Sequence, residues 1–260
     1  MGKFLFCDMD GTLIDDNQEI HPKNIELMRE WQKHNHKIVL CTGRNIIECK
    51  TVLNKFDFPY DYLILNNGGH ILDKSHTIFE EKINHNIGCA ILDFTTKFHG
   101  MWSFYCDGKE TYGYLNGNTY DHSGYGNMEI DRDFIEMYHN AGDFQIIWFN
   151  QDNHQMDTTT YCLDYIRKHM PSKFQSYVNQ YFVDIVPLEC SKGEGIRKLL
   201  SLIDDDVDAV YSIGDSYNDI SMFKASHHSA TFQYADEYVK NYAKKIVNYV
   251  YEFLEDGLEE

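Results

Sequence analysis

Four short apolar runs frame the chain, and each breaks abruptly into a polar cluster. Phe4-Leu5-Phe6-Cys7 gives way to Asp8-Met9-Asp10-Gly11-Thr12, and Ile38-Val39-Leu40-Cys41 to Thr42-Gly43-Arg44. Tyr62-Leu63-Ile64-Leu65 gives way to Asn66-Asn67-Gly68-Gly69, and Ala209-Val210-Tyr211-Ser212-Ile213 to Gly214-Asp215-Ser216. Runs of this length with nearly continuous hydrophobicity are expected of strands buried on both faces of a parallel sheet. Helical patterns lie between them. Pro22 stands where a first helical turn accepts proline, with Ile25, Met28 and Trp31 at helical spacing behind it. Ile196, Leu199, Leu200 and Ile203 form an i, i+3, i+4, i+7 stripe. The alternation predicts an α/β fold with a doubly wound, Rossmann-like parallel sheet, whose ligands bind beyond the C-terminal strand ends. All four polar clusters fall at such ends.

The alternation stops over residues 83–186. That stretch reads as strands at Met101–Cys106 and 110–114 around Asp107-Gly108, a further strand at 144–149, and another pair at 176–179 and 181–186. Helices are expected near 131–140 and 155–170, and residues 116–127, rich in Gly, Asn and Tyr, read as a loop. The expected organisation is a core of residues 1–82 and 187–260 with an α+β cap domain, residues 83–186, inserted into it.

Composition narrows the partners. Lys and Arg number 23 against 41 Asp and Glu, a formal charge of −18 that repels nucleic-acid phosphates and anionic lipid surfaces. Neither is an expected partner, and a phosphate could be admitted only by a local cation or a bound metal. No apolar run approaches the ~20 residues that span a bilayer, and the four-residue run after Met1-Gly2-Lys3 is too short for a signal-peptide core. Seven cysteines without a C-x-x-C pair fit a reduced, cytoplasmic setting better than a disulfide framework. The 13 histidines show no zinc-site spacing. Nothing in the pattern specifies an oligomeric state.

The chemistry concentrates at the polar clusters. Asp8 and Asp10 repel each other unless a cation sits between them or one holds a proton, and either arrangement is chemically useful. Taken alone, an aspartate in a turn is the ordinary reading of D-x-D. Thr42-Gly43-Arg44 offers a hydroxyl and backbone N–H groups suited to a phosphate oxygen. Lys192 in Ser191-Lys192-Gly193 precedes the stripe from Ile196 and would, in isolation, pass for a surface lysine. Asp215 ends a buried strand, and Asp219 follows four residues later, where one helical turn returns it to the same side. Capping explains one of these acids less easily than both, together with Asn218.

In their order along the chain, Asp8-Met9-Asp10-Gly11-Thr12-Leu13, Thr42-Gly43-Arg44, Ser191-Lys192-Gly193, and Gly214-Asp215 with Asn218-Asp219 resemble the four motifs of the haloacid dehalogenase superfamily, specifically the Cof-type phosphatases of its subclass IIB. Asn67-Gly68 and Val183-Asp184-Ile185-Val186-Pro187 also match, whereas the inserted stretch matches in position and size only. The resemblance implies a phosphoric monoester hydrolase acting on a small phosphorylated metabolite: a sugar phosphate, nucleotide or cofactor phosphate. It implies Asp8 as nucleophile and Asp10 as general acid and base. It further implies Mg²⁺ held by Asp8, the Asp10 backbone carbonyl, Asp215 and Asp219, with Thr42, Gly43, Arg44, Lys192 and Asn218 binding substrate. One segment departs from the pattern: relatives carry Met, Gly, Asn and Ala in a short loop where this chain has Thr231-Phe232-Gln233-Tyr234-Ala235.

Two other readings stay open on sequence. Phosphomannomutases share the four motifs, and a phospho-receiver or binding module uses a similar sheet. A mutase must hold a second phosphate with cations, but residues 83–186 carry six Lys and Arg against thirteen Asp and Glu. A receiver has no use for Asp10 or a second domain.

Overall fold

The computed structural model describes residues 2–15, 17–74, 76–116, 129–130, 133–152, 156–179 and 181–259. The chain forms two compact units, residues 1–44, 50–80 and 190–260 in the first and 45–49 with 81–189 in the second. It opens with β1 (Gly2–Asp8), α1 (Pro22–Lys33), β2 (Lys37–Cys41), α2 (Ile46–Lys55), β3 (Tyr62–Leu65), β4 (His70–Asp73) and β5 (Thr77–Glu80). The second unit follows with α3 (His85–Thr95), β6 (Met101–Cys106), β7 (Thr111–Leu115), β8 (Glu129–Ile130), α4 (Phe134–Asn140), β9 (Ile146–Gln151), α5 (Met156–His169), β10 (Gln175–Asn179) and β11 (Phe182–Val186). The chain then returns through α6 (Lys192–Leu202), β12 (Val207–Ile213), α7 (Ile220–Ala225), β13 (His228–Phe232), α8 (Glu237–Lys240), β14 (Lys245–Val247) and α9 (Val250–Glu259).

The first unit is a mixed α/β layer built on one sheet of order β14-β13-β12-β1-β2-β3-β4-β5. Strands β14 to β3 run parallel, while β4 and β5 add an antiparallel edge. That edge is absent from the apolar pattern. It forms because Asn66 and Asn67 take left-handed backbone at φ 51° and 49°, and Gly68 at 101° completes the reversal. Phe4, Phe6, Val39, Ile64 and Val210 pack with Ile196, Leu199 and Met222 in one buried cluster. Trp31 of α1 packs edge-on to Tyr211, which also meets Phe253 of α9. The central strands therefore have the two covered faces that their sequences require. The start of α1 is set by Pro22 in its first turn and by His21, whose ring accepts from the Lys23 N–H.

The second unit is a six-stranded sheet of order β10-β11-β9-β6-β7-β8, antiparallel except for the β7–β8 pair. Tyr105, Ile147, Phe149, Val183 and Ile185 share a core with helix residues Ile91, Leu92, Phe134, Tyr138 and Ile166. Side chains alternate along a strand, so Trp102, Phe104 and Trp148 lie on the opposite face, as a stacked row of nearly parallel rings with centroids 5.4 and 5.3 Å apart. The strand expected at 144–149 is displaced to Ile146–Gln151, because Phe144 is held in an isolated bridge with Ile83. Residues 117–127 of the loop expected at 116–127 and the first two residues of the helix expected at 131–140 lie outside the described residues. All seven cysteines are buried thiols outside any disulfide. Among the described residues, no helix is long and apolar enough to cross a membrane.

Candidate active site

β1 has β2 on one side and β12 on the other, so the order of strands along the chain reverses there. Such a switch point opens a crevice at the carboxyl ends of the strands. Register fixes who meets whom: Cys7 lies opposite Ile213 and Asp8 opposite Cys41, which brings Asp8 beside the 214–215 turn and the start of the 42–44 turn.

Lys192 is the first residue of α6. Ser191 caps that helix by accepting from the Glu194 N–H at 3.0 Å. An ammonium at a helix N-terminus opposes the helix dipole, and this one is only 1% exposed. Two glycines permit the burial. A Cβ on Gly193 would lie 2.2 Å from the Ser221 carbonyl oxygen, and one on Gly195 would lie 2.6 Å from the Ile64 methyl. The compensation is ionic: Lys192 Nζ donates to Asp8 Oδ1 and Asp219 Oδ1, each at 2.6 Å. Burial works against the Lys192 charge, but Asp219 and Asp8 outweigh it and hold its pKa above the usual lysine value. The surface reading that Lys192 would have in isolation gives way to a buried one, because the buried carboxylates of Asp8 and Asp219 need a cation.

The other carboxylate oxygen of Asp219 is engaged as well. Its Oδ2 accepts the N–H groups of Asp215 at 3.0 Å and Ser216 at 2.9 Å, bracing the turn after β12. Gly214 makes room, since a Cβ there would meet Asp219 Cγ at 2.3 Å. Asp215 Oδ1 accepts from Thr12 Oγ1 at 2.9 Å. Gly11 permits this approach, its φ being 79° and its absent Cβ otherwise 2.6 Å from Asp215 Oδ2. Asp8, Asp215 and Asp219 each offer one carboxylate oxygen, and the three lie within 4.8 Å of one another. Burial raises the Asp8 carboxyl well above its ordinary value, with Lys192 opposing and Asp219 and Asp215 adding to the rise. Burial and Asp219 push Asp215 up to about 6, against the Thr12 hydrogen bond and Lys192. Three carboxylates against one ammonium leave unneutralised negative charge, and hard oxygen donors of this kind fit Mg²⁺.

Asp10 is more exposed, and the structure gives it a partner the sequence did not indicate. Arg44 grips it bidentately, Nε to Oδ2 and Nη2 to Oδ1, both at 2.7 Å. Thr42 Oγ1 accepts from the Arg44 N–H at 3.1 Å, closing the turn that contains Gly43. Asn67 and Asn66 tie that turn down by donating their N–H groups to the carbonyls of Thr42 and Arg44. Asn218 Nδ2 donates to Asn67 Oδ1 at 3.0 Å, while Asn218 Oδ1 is buried with no hydrogen-bond partner among the described residues. Thr12 and Asn67, which lie inside the motif strings but are not among the expected site residues, are thus parts of the arrangement.

The segment 231–235 also differs from its sequence reading. Thr231 and Phe232 close β13, and only then does the chain turn. Beyond them the Tyr234 hydroxyl donates to the Gly11 carbonyl.

The sequence profile of the haloacid dehalogenase-like hydrolases matches residues 5–255. An uncharacterized protein of Mycoplasma capricolum is 26% identical, the match covering 97% of this chain and 99% of that one. The 5-amino-6-(5-phospho-D-ribitylamino)uracil phosphatase YwtE of Bacillus subtilis is 23% identical, over 92% of this chain and 90% of its own. Among solved structures, the subclass IIB sugar phosphatase BT4131 superposes with a TM-score of 0.81 at 19% identity, covering 98% of both chains.

Proposed function

The chain belongs to the haloacid dehalogenase-like hydrolase family, and from that premise we propose that it is a Mg²⁺-dependent phosphatase of small phosphorylated metabolites working through an aspartyl-phosphate. The observation that carries this reading is the buried ammonium of Lys192 bridging Asp8 and Asp219 beside Asp215.

Asp8 is the nucleophile. Its carboxylate oxygen bonds to phosphorus as the bond from phosphorus to the ester oxygen breaks, and Asp10, in its protonated form with one oxygen released from Arg44, supplies the proton that the departing oxygen takes. In the second half, Asp10 accepts a proton from water as that water attacks phosphorus, releasing phosphate and restoring Asp8. Phosphoryl transfer of this loose kind needs positioning and charge neutralisation above all. Lys192, with Thr42 and the Asn218 amide, holds phosphoryl oxygens. Arg44 becomes a positioning residue for Asp10, beyond the direct phosphate contact expected of it. Asp8, Asp215, the Asp10 carbonyl and Asp219 would hold Mg²⁺, which when bound neutralises charge on the transferring group. Both Asp219 oxygens also accept hydrogen bonds, so Asp219 braces Lys192 and the 214–216 turn as well, and its contact with the ion would be direct or through water.

The second unit is assigned the role of a cap that reads the leaving group. Its acidic excess favours a monophosphate with an uncharged body over a bisphosphate, and water over a second hydroxyl as acceptor. The relatives' names, a ribitylaminouracil phosphatase and a sugar phosphatase, are consistent with substrates of that size. The buried thiols accord with a cytoplasmic setting.

Phosphate release from an aryl phosphate with Mg²⁺, and its loss in chelator, is the direct test; undiminished turnover in chelator would overturn the metal assignment. Asp215→Ala is expected to lose Mg²⁺ affinity and turnover together. Its pH dependence provides an independent check. With a folded pKa of about 6 against 3.8 for the free group, Asp215 stabilises the metal-free fold in acid. That contribution is complete below 3.8 and is lost as pH rises through about 6. Urea titrations across that window should show the slope in the native chain, and Asp215→Ala should reduce it, Asp8, whose carboxyl is raised as well, retaining a part.

A further inference from the structure

The departing segment has a use that the motifs do not account for. Phe232 is buried at the end of β13, and the Tyr234 ring stacks on it at 4.9 Å and 11°. Tyr234 is nevertheless 63% exposed. Its hydroxyl is tied to the carbonyl of Gly11, the residue after Asp10. A ring backed by a buried ring on one side and anchored through its hydroxyl has lost most of its freedom before any ligand arrives, which lowers the cost of binding against it.

Its location is what matters. Under the phosphatase reading, on which this inference rests, Asp10 must come within hydrogen-bond reach of the ester oxygen. The organic part of the substrate therefore starts at Asp10, one residue from the carbonyl that Tyr234 holds. We infer that Tyr234 is a specificity-determining residue whose exposed ring receives the leaving group, and that the preferred substrates are phosphate monoesters carrying a flat, unsaturated ring. A pre-organised aromatic face favours planar partners through offset stacking and gains less from puckered or open-chain ones.

Phenyl phosphate and cyclohexyl phosphate, alike in size and unlike in flatness, separate the possibilities when kcat and KM are measured for each with Mg²⁺. The native enzyme is expected to show the lower KM for phenyl phosphate. Tyr234→Leu should raise that KM by about 2- to 12-fold while moving the cyclohexyl KM by less than about twofold. Tyr234→Phe, which keeps the ring and loses only the hydroxyl, should retain most of the preference. Tyr249→Ala, at another half-exposed tyrosine, should leave both values unchanged. Equal shifts for the two esters in Tyr234→Leu, or none, would overturn the platform role while leaving the phosphatase reading intact. Failure of the native enzyme to release phosphate from either ester would overturn both.

Discussion

Asp8→Asn is expected to lower turnover by on the order of 10⁴-fold or more while leaving the fold intact. The exchange removes the charge and the oxygen that attacks phosphorus but hardly changes volume at a buried position. Lys192 keeps Asp219 as its ionic partner, so no buried charge is stranded. Burial already makes the ionised form of Asp8 costly, and a neutral amide there should leave the melting temperature equal or slightly higher. Single-turnover measurements, which would also detect phosphorylated protein in the native chain and none in the variant, decide the matter. A variant that kept more than a few per cent of native activity in a verified preparation would remove Asp8 as nucleophile.

Lys192→Met should show the opposite profile, losing stability and activity together. The substitution preserves an unbranched side chain of similar length but removes the cation that Asp8 and Asp219 share. Breaking a buried ion pair from one side typically costs about 3–5 kcal/mol, because the remaining charges stay in low dielectric. Here a divalent cation can partly replace the ammonium. Denaturant midpoints should therefore fall strongly in chelator and recover in millimolar Mg²⁺, whereas turnover should not recover, since the phosphate contact is gone. An unchanged midpoint without metal would show that the three carboxylates take up protons freely enough to need no cation.

What the sequence made legible follows from how locally each feature is encoded. β1, β2, β3 and β12 were visible because strands buried on both faces must be apolar along their whole length. β13 was not, because its inward positions include Ser229 and Thr231, both buried and polar, and these interrupt the run. β14 has only three residues, fewer than a pattern needs. The edge strands β4 and β5 depend on two asparagines in left-handed conformation, a state that residue type permits without announcing. The acids were found because strand ends gather them at one edge of the sheet. The Arg44 grip on Asp10 was not found, since it joins residues 34 positions apart whose meeting depends on the β1–β2 register. Lys192 illustrates the same point from the other side: its residue type suggests surface, and only the packing of Gly193 and Gly195 puts it inside.

The seven buried thiols give the molecule a built-in clock. A thiol shielded from solvent reacts with a disulfide reagent only when its surroundings open, so modification rates report opening free energies. Cys7 and Cys41 lie on the two central strands that lead into Asp8 and Thr42, whereas Cys89 and Cys162 lie in the core of the second unit. Each unit thus carries its own reporters, and mass spectrometry of labelled peptides would time their unfolding separately without a single engineered label. A ligand that tightens the catalytic end should slow Cys7 and Cys41 selectively, turning reagent exclusion into a substrate screen that requires no turnover.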